Sequence, residues 1–376
     1  MALQRETLKF SLDQIQQKAR ERTVKTQNVE YDLETLTKRI EKGSIRLDPD
    51  YQRRHRWTDE TSSRLVESLV LNIPIPVIFI SQDVDVDEET DEATARYTVI
   101  DGQQRLTAIY DFLRGDFALI GLEVLSELNG SFYKDLPPFL IRRLEERTVK
   151  CLRIDSTVDS QVKYDIFERL NTGSIKLEPQ ELRNAVARGL FNDKIKKLAE
   201  DVNFRTSIRV DVKDPLSSAK VKKMEDVELV LRFFALRGKG YQELRKGFKD
   251  YLTLKLNEFN KLDPEAICRW GEEFLSYMEF LSKHGGSAPF AKYLLQDGRL
   301  KQISSFNAAV YDAFAVGLAN SYTITELKAD KGVIATKVSG LRDIFLDEEF
   351  FAAVSGSVND AQKVKTRVEK VVARLK

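Results

Sequence analysis

Apolar residues follow two rhythms along this chain, and the change from one to the other falls near residue 190. Before it, short β-branched and aromatic runs alternate with stretches whose apolar positions repeat at i, i+3, i+4 and i+7, the signatures of strands and amphipathic helices. Strands are predicted at 77–80, 96–100, 117–122 and 148–154. Leu33, Leu36 and Ile40 predict a short helix within 31–40, closed by Gly43. Thr58 caps a second helix striped by Leu65, Val66, Leu69, Val70 and Ile73, and Pro74 and Pro76 stop it. Leu106, Ile109, Tyr110 and Leu113 predict a third, with Gly115 at its C-terminal cap. Further helices are expected at 137–147 and from Asp159 to Asn171-Thr172-Gly173, with another opening after Leu177.

Beyond about Phe191 the strand signals fade, and helices are predicted at 224–236, 252–262, 264–281, 303–318 and 358–375. Residues 1–28 are polar with weak periodicity, a frayed helix or an arm. The expected fold class is α+β: an arm over 1–29, a mixed α/β domain over 30–190 and an all-helical domain over 191–376.

Composition narrows the chemistry. A net charge of +1 over 376 residues supplies no global field toward nucleic acid or membrane, so any such contact needs a local patch. The basic spots at 194–197, 220–223 and 237–249 stand among acids and read as solvated faces. No apolar run approaches the roughly 20 residues of a membrane span, which points to a soluble protein. Cys151 and Cys268 lie in apolar surroundings and read as buried thiols of a reducing, cytoplasmic setting. Two histidines, His55 and His284, are too few for a Cys/His metal site or a Ser-His-Asp triad, so no metal ligands are assigned; magnesium on carboxylates stays open. The acidic stretch 82–92 lacks the glycine and terminal glutamate of an EF-hand loop and reads as a solvated hairpin tip.

The densest chemistry lies at Asp101-Gly102-Gln103-Gln104-Arg105, between a predicted strand and a predicted helix. Gly102 permits a backbone angle that a Cβ forbids, and backbone N–H groups, two amides and an arginine then meet at a positive helix end, a phosphate-binding arrangement. The same five residues also make an ordinary polar βα turn with Asp101 as the helix cap. A second cluster, Gln52, Arg53, Arg56 and Trp57, suits phosphate and base contacts, or equally a basic loop with Trp57 in the core. A third, Asn171, Gln180, Glu181, Arg183 and Asn184, is a polar corner between two helices.

Taken in order, Tyr51-Gln-Arg53 with Trp57 and Ile73-Pro-Ile-Pro76, then Asp101-Gly-Gln-Gln-Arg-Leu-Thr-Ala108, then Phe167-Glu-Arg-Leu-Asn-Thr-Gly173 and Gln180-Glu-Leu-Arg-Asn-Ala185, resemble the N-terminal half of GmrSD-type modification-dependent restriction enzymes and phage-defence proteins. The resemblance covers about 30–190 and extends loosely to Met224–Phe234. It implies a fold of the ParB and sulfiredoxin-like superfamily, with nucleoside triphosphate binding and hydrolysis at the Asp-Gly-Gln-Gln-Arg turn. The turn holds no cysteine, so sulfinic-acid reduction is not expected. Relatives with a His-Asn-His nuclease domain would need histidines that the second half lacks, save His284.

The functional expectation is a nucleotide-binding, NTP-hydrolysing module of a restriction or phage-defence system that acts with DNA. Asp101, Gln103, Gln104 and Arg105 are the expected catalytic residues. Gly102, Gln52, Arg53, Arg56, Trp57, Asn171, Gln180 and Glu181 are the expected nucleotide or phosphate contacts, with a nucleoside triphosphate and its magnesium as cofactors. Expected partners are DNA, a separate nuclease subunit and a second copy docked through the helical half, with no membrane. Two alternatives remain: a catalytically silent DNA- or protein-binding module, and a nicking enzyme that uses the N-terminal domain.

Overall fold

A computed structural model of the chain describes residues 25–47, 57–82, 96–155, 160–170, 178–245 and 247–376. Contacts divide the chain into two compact units, 1–176 and 177–376.

The first unit is built on β1 (Thr26–Asp32), β2 (Ile45–Arg46), β3 (Ile78–Gln82), β4 (Tyr97–Asp101) and β5 (Thr148–Ile154), which form one sheet in the order β1-β5-β3-β4-β2. Pairing is mixed: β1 with β5 and β3 with β4 run antiparallel, while β3 with β5 and β2 with β4 run parallel. Ile78, Ile80, Val99, Val149 and Cys151 are all buried, which explains why these strands read as short continuous apolar runs. The helices of this unit are α1 (Leu33–Glu41), α2 (Asp59–Val70), α3 (Gln103–Arg114), α4 (Pro138–Glu145) and α5 (Ser160–Leu170). Asp32 caps α1 by accepting the Thr35 N–H at 2.6 Å, and the Thr58 hydroxyl accepts the Thr61 N–H at 3.3 Å to cap α2. Leu106, Ile109 and Phe112 of α3 enter the same core as Val66 and Leu69 of α2.

Several expectations change. Residues 117–122 form no strand; Phe117, Leu119 and Leu122 are buried from a loop in which Leu119 N–H bonds Ser131 C=O and Gly130 N–H bonds Leu119 C=O. Strand β1 takes in residues 26–29, expected in the arm, and 31–32, expected at the start of the first helix, because β5 offers a full antiparallel partner from Thr26↔Ile154 to Asp32↔Thr148. Cys268 is exposed, on the outer side of the Pro264–His284 helix, and Cys151 alone is buried.

The second unit is mostly helical but not wholly so. Strands β6 (Lys292–Gln296) and β7 (Arg299–Ser304) form a hairpin where the apolar pattern predicts the start of a helix at 303. The unit begins before residue 190 because the Pro179–Val186 helix turns its polar side chains into it. Arg183, 1% exposed, donates to Gln180 at 2.9 Å, to Glu228 at 2.8 Å and to Thr253 at 3.3 Å. Glu228 lies 3.7 Å from Arg232, whose guanidinium grips Asp312 at 2.9 and 2.5 Å. Arg367 reaches the same carboxylate at 2.5 Å. Asp312 opens a π-helical turn, Asp312–Val316, and is fully buried. Among the described residues, no helix is long and apolar enough to cross a membrane.

Candidate functional site

Strand β4 ends at Asp101, and α3 begins at Gln103 with Gly102 between them at φ 95° and ψ 12°. A Cβ on Gly102 would meet Ile78 Cγ1 at 2.9 Å and the Arg105 guanidinium carbon at 3.3 Å, so the position excludes other residues by space as well as by backbone angle. The N-cap position is Gly102, not the Asp101 that the alternative reading expects, and among the described residues no side chain caps this helix end. The helix ladder opens with Leu106 N–H on Gly102 C=O at 2.9 Å, which leaves the amides of the first turn outside it.

Arg105 folds back over this turn. One Nη lies 2.5 Å from Asp101 Oδ2, and the other donates to the Pro76 carbonyl and, at 3.4 Å, to that of Val77. Its side chain is 11% exposed while that of Asp101 is 44% exposed, so the arginine is the anchored member and the carboxylate the accessible one. The arginine charge reaches into the sheet: burial pushes the Cys151 thiol up to about 11, and Arg105 opposes that shift.

Gln103 and Gln104 are both buried. Gln104 Oε1 accepts the Trp57 backbone N–H at 3.2 Å, while its Nε2 has no partner among the described residues. An unused buried amide costs about 1–3 kcal/mol, which marks Gln104 as a group with a second contact to make. Beside it, Trp57, Asp59, Gln104 and Thr107 line a cavity of about 10 Å³, room for about one water. Trp57 itself packs partly buried against the core of the first unit.

Thus the structure joins Asp101, Gly102, Gln104, Arg105 and Trp57 at one turn, with Gln103 buried in the same helix end. Gln52, Arg53, Arg56 and Asn171 lie outside the described residues. Gln180 and Glu181 belong to the second unit and have internal partners: Gln180 bonds Asn184 at 3.1 Å and Arg183, and Glu181 Oε2 accepts the Glu178 N–H at 2.7 Å. Sequence reasoning missed the Pro76 and Val77 carbonyls that hold Arg105. The available signal was Ile73-Pro-Ile-Pro76, since prolines keep a segment extended and its carbonyls out of a helix. Among the described residues, no group of three or more His, Cys, Asp or Glu side chains is arranged for a metal.

This recessed glycine turn, with its anchored arginine and exposed carboxylate on a mixed sheet, defines an α+β domain of a particular class. Residues 33–187 match the family model of the GmrSD restriction endonuclease N-terminal domain. The match places that domain in the context of a restriction or phage-defence system. Comparison with curated proteins and with solved structures gives no match.

Proposed function

We propose that the Asp101–Arg105 turn binds the phosphates of a nucleoside triphosphate and hydrolyses it, as the nucleotide-dependent module of a restriction system acting with DNA and a nuclease partner. The observation that carries the reading is the left-handed Gly102 cap: among the described residues it leaves the positive helix end without a side-chain cap, and it forbids a Cβ there. Phosphate oxygens take the first-turn amides, and the spare Nε2 of Gln104 supplies one more donor. Arg105 holds the Asp101 carboxylate in one orientation, and its charge offsets the negative charge that grows in phosphoryl transfer. Gln103 orients the attacking water. A magnesium ion arriving with the nucleotide would be held on the protein side by the Asp101 carboxylate and would offset phosphate charge. Asp101 suits such an ion, because magnesium is commonly held by one or two carboxylates together with substrate phosphates.

One observation favours a second reading, a silent binding module. Arg105 already spends its contacts on Asp101, Pro76 and Val77, as a purely structural tie would. A panel of ATP, GTP, CTP and UTP, with and without DNA, separates the two. Turnover that disappears in Asp101→Asn and Arg105→Ala supports hydrolysis. Salt-steep DNA binding with no turnover supports the silent module.

A further inference from the structure

The second unit carries a cleft of about 1030 Å³, lined by the C-terminal end of the Glu225–Leu236 helix, the turn after it, the middle of the Pro264–His284 helix and the Ile324–Ala329 helix. Its floor is a stack. Trp270 lies nearly parallel to Phe234, with ring centres 5.9 Å apart at 11°, and the Arg237 guanidinium lies 4.1 Å from the Trp270 ring centre. Glu273 holds Arg237 from the side at 2.8 Å. Planar and weakly hydrated, a guanidinium fixed on an indole extends the aromatic surface outward and is a stacking partner for a nucleobase.

The rim beside this stack is locked. Asn320 makes two bonds to Gly238, accepting its N–H at 2.7 Å and donating to its C=O at 3.2 Å. The Tyr251 hydroxyl lies 3.0 Å from the Ala235 carbonyl and 2.7 Å from that of Gly240. Gly240 admits no other residue, since a Cβ there would fall 2.0 Å from the Ala235 oxygen. The result is a fixed turn that holds Lys239 out to solvent.

Charge then selects the ligand. Among the described residues, six Lys and Arg side chains line the cleft against three glutamates. Arg237 pairs with Glu273 and Lys255 with Glu243, whereas Lys239, Arg269 and Lys328 are exposed and form no ion pair among the described residues. Among the described residues, Glu272 is the third glutamate of the lining. The cleft is open, and its volume is at the top of the roughly 300–1,000 Å³ that small-molecule pockets occupy, which favours a chain segment over a single small ligand.

From the Arg237–Trp270 stack, the locked rim and the three unpaired cations we infer that this cleft binds a segment of single-stranded nucleic acid, its phosphates on Lys239, Arg269 and Lys328 and one base against Arg237. The site is separate from the Asp101–Arg105 turn and independent of nucleotide hydrolysis there. Stacking plus backbone charge is the recognition mode of sequence-tolerant single-strand binding.

The test is a fluorescence-anisotropy titration of the full chain with a dye-labelled twelve-residue oligothymidylate, using wild type, Lys239→Glu/Lys328→Glu and, as the control, Lys134→Glu. Both lysines are exposed, so the double variant keeps the fold. The expected result is at least a tenfold loss of affinity in the double variant. Its log affinity against log salt should also flatten by about 1.4, two single-strand phosphate contacts at about 0.7 each. Lys134→Glu, an exposed site outside the cleft lining, should bind within twofold of wild type. In a Trp57→Phe background, the remaining Trp270 emission should be quenched by the oligonucleotide. Undiminished binding by the double variant, no binding by wild type, or an equal loss of binding in Lys134→Glu overturns the assignment. So does competition by polyglutamate as strong as by unlabelled oligothymidylate, because the cleft would then take acidic protein segments.

Discussion

Arg105 Nη2 stands 2.5 Å from Asp101 Oδ2 across the first turn of α3, and the arginine is far the more buried of the two. The contact makes Arg105 a positioning residue for Asp101 as well as a source of charge, and it gives the two side chains different mutational signatures. Arg105→Ala is expected to lower stability by about 1–3 kcal/mol through the lost carbonyl and carboxylate bonds, and to lower nucleotide turnover by about 100-fold or more. Asp101→Asn keeps the shape and should change the melting temperature little while removing turnover. Parallel melting curves and steady-state rates for both variants check this; equal turnover in all three proteins would count against the assignment.

Gly102 tests the turn itself. Gly102→Ala must accept φ 95° and a Cβ 2.9 Å from Ile78 Cγ1, at an expected cost of about 1–3 kcal/mol. Gly115→Ala, also at positive φ but with open space around its Cβ, should cost less. Urea midpoints for the pair measure the difference, and equal midpoints would show that the crowding at Gly102 is not felt.

Strands β3, β4 and β5 and helix α3 were legible in the sequence because each buries a continuous or periodic apolar set. The loop at 117–122 shows the limit: burial of Phe117, Leu119 and Leu122 was readable, but the lack of a pairing partner was not. The β6–β7 hairpin carried a local signal in Asp297-Gly298, which occupy φ 53° and 71°, both positive as a two-residue hairpin turn requires. Its exposed Ile303 imitated the start of a core helix, which is why the pattern predicts a helix from 303. The Gln103, Gln104 and Arg105 turn was visible because its chemistry is contiguous. The partners of Arg183, and the cleft beside Arg237, come from helices far apart in sequence, and no local pattern announces them.

Asp312 joins Arg232 and Arg367, all three buried. Asp312→Ala leaves two buried cations without their counter-charge and is expected to cost about 3–5 kcal/mol, enough to remove most of the stability of an ordinary domain. Chemical denaturation of the variant measures this; a loss below about 1 kcal/mol would mean that the guanidiniums find other partners.

Cys151 gives a pH dependence. Its thiol is pushed from 9.0 to about 11 by burial, so folding favours the protonated form. That contribution is fully present below pH 9 and is lost as pH rises through about 11, a change of about 2–3 kcal/mol at most. The stability difference between wild type and Cys151→Ala should therefore shrink between pH 8 and 11. Thiol reagent at pH 8 should label Cys268 and spare Cys151.

Plasmid cleavage by the intact chain is expected to be absent or weak, with any nicking dependent on Asp101 and Arg105. Robust cutting by Asp101→Ala would place phosphodiester chemistry elsewhere in the chain.

The central claim, phosphate chemistry at the Asp101–Arg105 turn, is tested most directly by release of inorganic phosphate from ATP, GTP, CTP and UTP, with and without DNA, by wild type and Asp101→Asn. Turnover of at least one nucleotide by wild type, reduced about 100-fold or more in Asp101→Asn, is the predicted result. No turnover of any of the four under either condition, or turnover unchanged in the variant, would contradict it.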